Sequence, residues 1–186
     1  GQVPIRSMAN AWLPVPGWTE EHEWRGNIPF EALSRMRNPS SGFIVTANNR
    51  IPDDQYPYYI ALDYTPEYRA RRIYDRLQTL TRATVEEMRA IHGDHFSIPA
   101  RIFAGVITSA EPRDGFSLRA QALLSGWNGA MAQDSVAPTI YSAFRVKLLH
   151  KIIGGLIGPL VDVMFMTTGR GAPRHLTELA SLLVTH

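Results

Sequence analysis

Asn38-Pro39-Ser40-Ser41-Gly42-Phe43-Ile44-Val45-Thr46-Ala47-Asn48-Asn49 is the stretch from which this chain is best read. A Pro/Ser/Gly turn leads into three apolar residues, and two asparagines close the segment. Phe43, Ile44 and Val45 between turn formers predict a short strand over residues 42–48. Asn48 and Asn49 are expected to hydrogen-bond nearby backbone and hold its exit. Upstream, residues 1–36 are rich in Pro, Trp and Gly and carry no helical period. They read as loop, with a turn of helix near Phe30–Arg35. A loop of that length is uncommon in a self-contained domain, and Trp12, Trp18 and Trp24 need a surface to pack on.

Downstream, an extended piece is expected at 57–62, and then the pattern changes. Thr65 can cap and Pro66 suits a first helical position. Tyr68, Ile73, Leu77 and Leu80 recur at helical spacing. Thr84-Val85-Glu86-Glu87 is a capping box. Further helices are expected at about Ser97–Ala110, Phe116–Ser125, Pro138–Ile153 and Pro173–Thr185. The fold class is therefore mainly α with a small extended or β portion near the N-terminus. Residues 1–64 form the irregular segment, and 65–186 form a helical region that is one continuous part of a larger domain.

Composition narrows the function. The 186 residues suffice for one domain with a sizeable core. A formal net charge of +2 makes no case for nucleic acid or an anionic membrane as partner. There are no cysteines, which removes disulfides, thiol catalysis and thiolate metal sites. The longest apolar run, 152–166, is too short for a bilayer and is interrupted by Gly154, Gly155, Gly158, Pro159 and Asp162.

Several residues invite a chemical reading. His92-Gly93-Asp94-His95 brings two imidazoles and a carboxylate together. A metal site would need three or four convergent ligands, so a structural hydrogen-bond role is the better reading. His22 lies between Glu21 and Glu23 in a loop, and spacing suggests no partner for His150, His175 or His186. Asp53-Asp54 sits in a Pro-rich turn, and Glu86-Glu87 is accounted for by capping. Arg69, Arg71, Arg72 and Arg76 lie on one helix with Tyr68 and Tyr74. Glu67 and Asp75 at helical spacing predict a salt-bridged face rather than a nucleic-acid surface. Trp127-Asn128-Gly129 reads as a helix end, with the tryptophan buried and Gly129 in the left-handed cap. Arg6 offers five fixed donors and a permanent charge; on the residues alone it reads as a surface arginine near a chain end.

The order of these motifs resembles the penicillin acylase (penicillin amidase) family. The resemblance rests on Gly1-Gln2-Val3-Pro4-Ile5-Arg6, Leu13-Pro14-Val15-Pro16-Gly17, Trp24-Arg25-Gly26, Ile28-Pro29-Phe30-Glu31 and the 38–49 stretch. Tyr68–Ile73, Asp94 and Trp127-Asn128-Gly129 then follow in the family's order, over roughly three quarters of the chain. The resemblance implies an N-terminal nucleophile hydrolase of αββα architecture. In that chemistry a serine freed by autoproteolysis attacks an amide carbonyl. Its own α-amino group is the base, and an asparagine helps to bind the oxyanion.

The resemblance makes Arg6 the catalytic-site residue of this chain, close to the nucleophile and oxyanion region. It places the serine and the asparagine outside: Gly1 carries no nucleophile, and the resemblance puts the asparagine before the Gly-x-x-Pro-x-Arg segment. The chain is then expected to be an internal piece of the β subunit, inactive alone. Its partners would be the α subunit and the N-terminal part of the β subunit. The substrate implied is an N-acyl amide of the β-lactam antibiotic or acyl-homoserine lactone type, with no nucleic acid and no membrane involved. No cofactor is expected in this chain. A structural calcium in the complete enzyme and a periplasmic or extracellular home are implied by resemblance. The competing reading is a helical binding or assembly module without catalysis, with residues 1–36 and 152–166 as its contact faces.

Overall fold

The computed structural model of the chain describes residues 1–7, 13–61 and 64–167. It divides into two compact units, Gly1–Ala70 and Arg71–His186.

The first unit is almost entirely irregular, as its Pro and Gly content predicts. Among the described residues, two 3₁₀ turns, Glu20–His22 and Phe30–Ala32, are its only helical structure before residue 68. Residues 3–5 run antiparallel to residues 25–28. The Ile5 amide donates to the Gly26 carbonyl (2.9 Å), Arg25 to Ile5 (3.3 Å) and Ile28 to Val3 (2.8 Å). Gly26 at φ 94° allows the chain to turn within this pairing. Ile28 is only 5% exposed and is the principal buried side chain of the unit.

The 38–49 stretch is a corner without a strand. Among the described residues no strand forms and only two isolated bridges occur, so the strands expected at 42–48 and 57–62 are absent; residue 62 itself lies outside the described residues. The reason is that a strand exists only as part of a ladder, and no neighbouring edge pairs with residues 43–45. Side chains hold the corner instead. Asn48 adopts φ 61°, in the left-handed region that asparagine tolerates. Asn49 Oδ1 accepts the Ala47 amide at 3.0 Å, as the two asparagines lead one to expect. Thr65, the expected cap, is used elsewhere: its hydroxyl donates to the Ala47 carbonyl (3.0 Å) and its amide to Asn48 (2.9 Å). The helix accordingly starts two residues beyond Pro66.

Six α-helices are found among the described residues: α1 Tyr68–Gln78, α2 Val85–His92, α3 Ile98–Ser109, α4 Gly115–Leu124, α5 Ala137–Ile157 and α6 Leu160–Thr167. Their starts follow local chemistry. Thr84 and Glu87 complete the capping box of α2. Ser97 caps α3 with Pro99 in its first turn, and Asp114 caps α4. The helices expected from Ser97, Phe116 and Pro138 are therefore present. α5 runs four residues past Ile153, through Gly154 and Gly155, and ends at Gly158. The helix expected at Pro173–Thr185 lies outside the described residues.

The core of the second unit is apolar. Ala100 and Phe103 of α3 pack with Tyr141, Leu149 and Ile153 of α5 and Val161 of α6. Phe103 is 2% exposed and its ring lies 6.0 Å from Phe144. Gly154 faces Val161 of α6, where a Cβ would stand 3.5 Å away, an ordinary contact distance.

Candidate functional site

The antiparallel pairing of residues 3–5 with 25–28 builds a cleft of about 200 Å³, lined by Ile5, Arg6, Ser7, Glu21, Glu23 and Arg25. The 3₁₀ turn Glu20–His22 brings in Glu21, and its extended exit at Glu23 brings in Glu23 and then Arg25. Arg6 is half-buried and donates through Nη2 to the Ile60 carbonyl at 3.2 Å. Its Nε is buried and makes no hydrogen bond. A buried guanidinium nitrogen left without an acceptor is costly. Arg6 is thus not a freely solvated arginine: it lies against a concave surface.

The other candidates are dispersed. Asp94 is a structural hub. Arg72 donates to its Oδ2 from Nη2 (2.7 Å) and Nε (3.1 Å), and the Phe96 amide donates to Oδ1 (2.9 Å). The Arg72 guanidinium also stacks 4.4 Å above the Phe96 ring. Burial alone would raise the Asp94 carboxyl. The Arg72 hydrogen bonds, the Phe96 amide and the charges of Arg72 and Arg76 outweigh it and hold the group below its ordinary value. His95 Nδ1 lies 3.2 Å from the Gly93 carbonyl. Among the described residues no three His, Cys, Asp or Glu side chains converge as a metal site.

The arginine helix departs from expectation. Arg72 and Arg76 turn to Asp94, at 2.7 and 3.8 Å, rather than to Asp75. Arg69 reaches the 38–49 corner, donating to the Ala47 carbonyl and to Asn48 Oδ1, both at 2.7 Å. These are tertiary partners that helical spacing cannot reveal. His150, for which spacing offered nothing, lies 2.8 Å from Asp162 across the α5–α6 turn. His175 and His186 lie outside the described residues. Asp53 accepts the Gln55 amide, Asp54 pairs with Arg50, and Glu87 serves the cap, so these carboxylates act locally.

Trp127 is partly buried against the core, 5.9 Å from Tyr141, and its Nε1 donates to the Ala130 carbonyl. The expected helix end shifts. α4 stops at Leu124, and Gly126, at φ 75°, takes the turn instead of Gly129. Gly129, at φ 92°, has a different task. Its carbonyl accepts the Ser97 amide at 2.9 Å, and an added Cβ would meet the Ser97 carbonyl at 3.0 Å.

Glu21, Glu23 and Arg25 escape a search for chemical motifs. No local pattern joins them: Glu21 lies in the 3₁₀ turn, Glu23 at its extended exit and Arg25 beyond it.

Comparison with known proteins agrees with the motif order. The Penicillin amidase family model matches residues 1–183. Over 156 residues the chain is 44% identical to the penicillin acylase 2 proenzyme of Pseudomonas sp. strain SE83, covering 81% of this chain and 20% of that protein. Over 45 residues it is 47% identical to penicillin G acylase of Escherichia coli, covering 24% of this chain and 5% of that protein. The chain thus spans at most about a fifth of the length of these relatives. With the family model extending over nearly all of its residues, this chain belongs to the penicillin amidase family.

Proposed function

We propose that the chain is an internal β-subunit portion of an amidase with the αββα architecture of N-terminal nucleophile hydrolases. The parent hydrolyses the amide of an N-acyl substrate of the β-lactam or acyl-homoserine lactone type. The helical region from residue 65 onward is one part of its larger domain. The serine, its amine and the oxyanion asparagine come from elsewhere in the enzyme. Its partners are the α subunit and the N-terminal part of the β subunit, and the parent is exported. Any structural calcium takes its ligands outside the described residues.

The observation that carries this reading is the family match along residues 1–183, with Arg6 set against a cleft. In this role the Arg6 charge stabilises negative charge that develops on the amide oxygen and does not itself titrate. The test is steady-state kinetics of the complete acylase carrying Arg6→Ala or Arg6→Lys. The expected loss in kcat/KM for an N-acyl amide is roughly 10²- to 10³-fold, the size typical of losing one oxyanion donor. Unchanged kcat/KM in both variants would overturn the role.

The assembly-module reading also has support: Trp18 is 86% exposed and Leu156 80%. The parent reading frame separates the two. The amidase reading requires an upstream serine at a self-cleavage junction and an asparagine shortly before Gly1.

A further inference from the structure

Helix α4 is apolar on both of its sides. Contacts settle which side faces inward. Leu124 is buried, and Gln121 Nε2 donates to the Ile107 and Ala110 carbonyls, at 2.8 and 2.6 Å, where α3 ends. The opposite side carries Phe116, Leu118, Ala122 and Leu123, with Arg119 as its only charge. Phe116 is 82% exposed, and Leu118 and Leu123 are each more than half exposed. The helix is firmly started, because Asp114 and Ser117 complete its capping box, so this arrangement of side chains is fixed.

A helix that remains against water carries polar side chains on its outer side. One that is apolar all round belongs to the interior of a larger protein or to a membrane. A membrane span does not fit: no described helix is long and apolar enough to cross one, and ten residues at about 1.5 Å each reach half of a bilayer core. A larger protein does fit. This chain covers 20% of the proenzyme to which it is 44% identical, so most of a polypeptide of that length is available to cover the helix.

We propose that the outer side of α4 is an internal packing surface of the complete acylase. It is covered by aliphatic and aromatic side chains of the polypeptide outside residues 1–186. Phe116 and Leu123, two turns apart on one side of the helix, are its anchors. Arg119 stands one turn from each, so the cover also brings an acceptor for its guanidinium, which would otherwise be enclosed unpaired. The assignment rests on the proposed place of the chain within a larger acylase, and gives that acylase a contact surface in the helical unit.

The experiment uses the complete acylase with Leu123→p-benzoylphenylalanine. After illumination and digestion, mass spectrometry identifies the peptide joined to position 123. That peptide is expected to come from outside residues 1–186. No cross-link, or one to residues 1–186 of the same or a second copy, overturns the proposal. Because a bulky probe can hinder assembly, Phe116→Cys and Leu123→Cys are also labelled, separately, with a maleimide. Each is expected to react roughly 100-fold more slowly in the native enzyme than in urea, the protection that enclosure in a stable interior gives. A native rate equal to the unfolded rate overturns the proposal. Neither readout depends on turnover. Slow labelling in an enzyme that hydrolyses no N-acyl amide removes the proposed activity and keeps this surface. Unfolded-like labelling in an enzyme that does hydrolyse one removes the surface alone.

Discussion

The two units of this chain are held together by different physics. Among the described residues of 1–70 the one large buried side chain is Ile28, and hydrogen bonds tie loop to loop. Tyr56 donates to the Ala32 carbonyl, Arg6 to Ile60 and Arg69 to Ala47. The helical unit buries Phe103, Leu124, Tyr141, Leu149 and Ile153, and its helices begin at capped ends. Apolar burial is non-directional and tolerates a range of sequences, whereas the loop unit depends on individual donors meeting individual acceptors. The difference teaches where function can reside. The chemically varied cleft belongs to the unit in which polar groups, and not packing, determine the chain path.

The largest expected effect breaks the helical side. Phe103→Ala should cost about 4 kcal/mol, because the side chain is fully enclosed and a cavity remains. Urea unfolding of the variant should show a much lower midpoint; a midpoint equal to that of the parent chain would show that the packing described is not what holds the unit. Gly129→Ala comes next, at about 3 kcal/mol, from a positive φ combined with a Cβ 3.0 Å from the Ser97 carbonyl. The same assay reads it, and a neutral result would mean that the 126–130 turn takes another path.

Ile28→Ala sharpens the comparison from the other side. The loss should be about 2 kcal/mol, at the low end for such a truncation, because the surroundings are thin enough to collapse. Faster amide exchange at Ile5 and Ile28 would report it. A loss as large as that of Phe103→Ala would mean that the loop unit has a true core.

Asp94→Asn should cost about 2 kcal/mol, since it removes the charge from a largely buried acceptor of Arg72. The pH dependence follows from the lowered Asp94 pKa. The ionised form is favoured in the folded state, so its contribution is complete above the ordinary carboxylate pKa of about 3.9. It is lost as pH falls through the lower folded value. Stability of the parent chain relative to Asp94→Asn, measured from pH 6 down to pH 2, should converge toward the acid end. A constant gap would remove the carboxylate's role. The smallest effect is Thr84→Ala, at about 1 kcal/mol, from loss of the α2 capping box. Helical circular dichroism and the melting temperature should both fall slightly.

Much of the helical unit was legible because its signals are local. Thr84 with Glu87, Ser97 with Pro99 and Pro138 all announce helix starts within one turn. The Asn49 side chain acting on the Ala47 amide was legible for the same reason. Phe43–Val45 misled because β propensity expresses a fit to neighbouring strands, and no strand neighbours it here. Arg72 misled because the i,i+3 pairing with Asp75 lost to a better buried acceptor 22 residues away. The cleft was half visible. Arg6 stood out through family resemblance, while Glu21, Glu23 and Arg25 came to line the same cleft only once the chain doubled back.

By itself, the sequence determined the helix starts, the irregular character of the first third and, through the order of its motifs, the family. These depend on near neighbours in the chain or on inherited pattern. Only the tertiary structure decided that Asp94 would gather Arg72 and Arg76, that Gly129 would sit against Ser97, and that Arg6, Glu21, Glu23 and Arg25 would line one cleft. Those features depend on distances between residues remote in sequence, which periodicity and propensity do not encode.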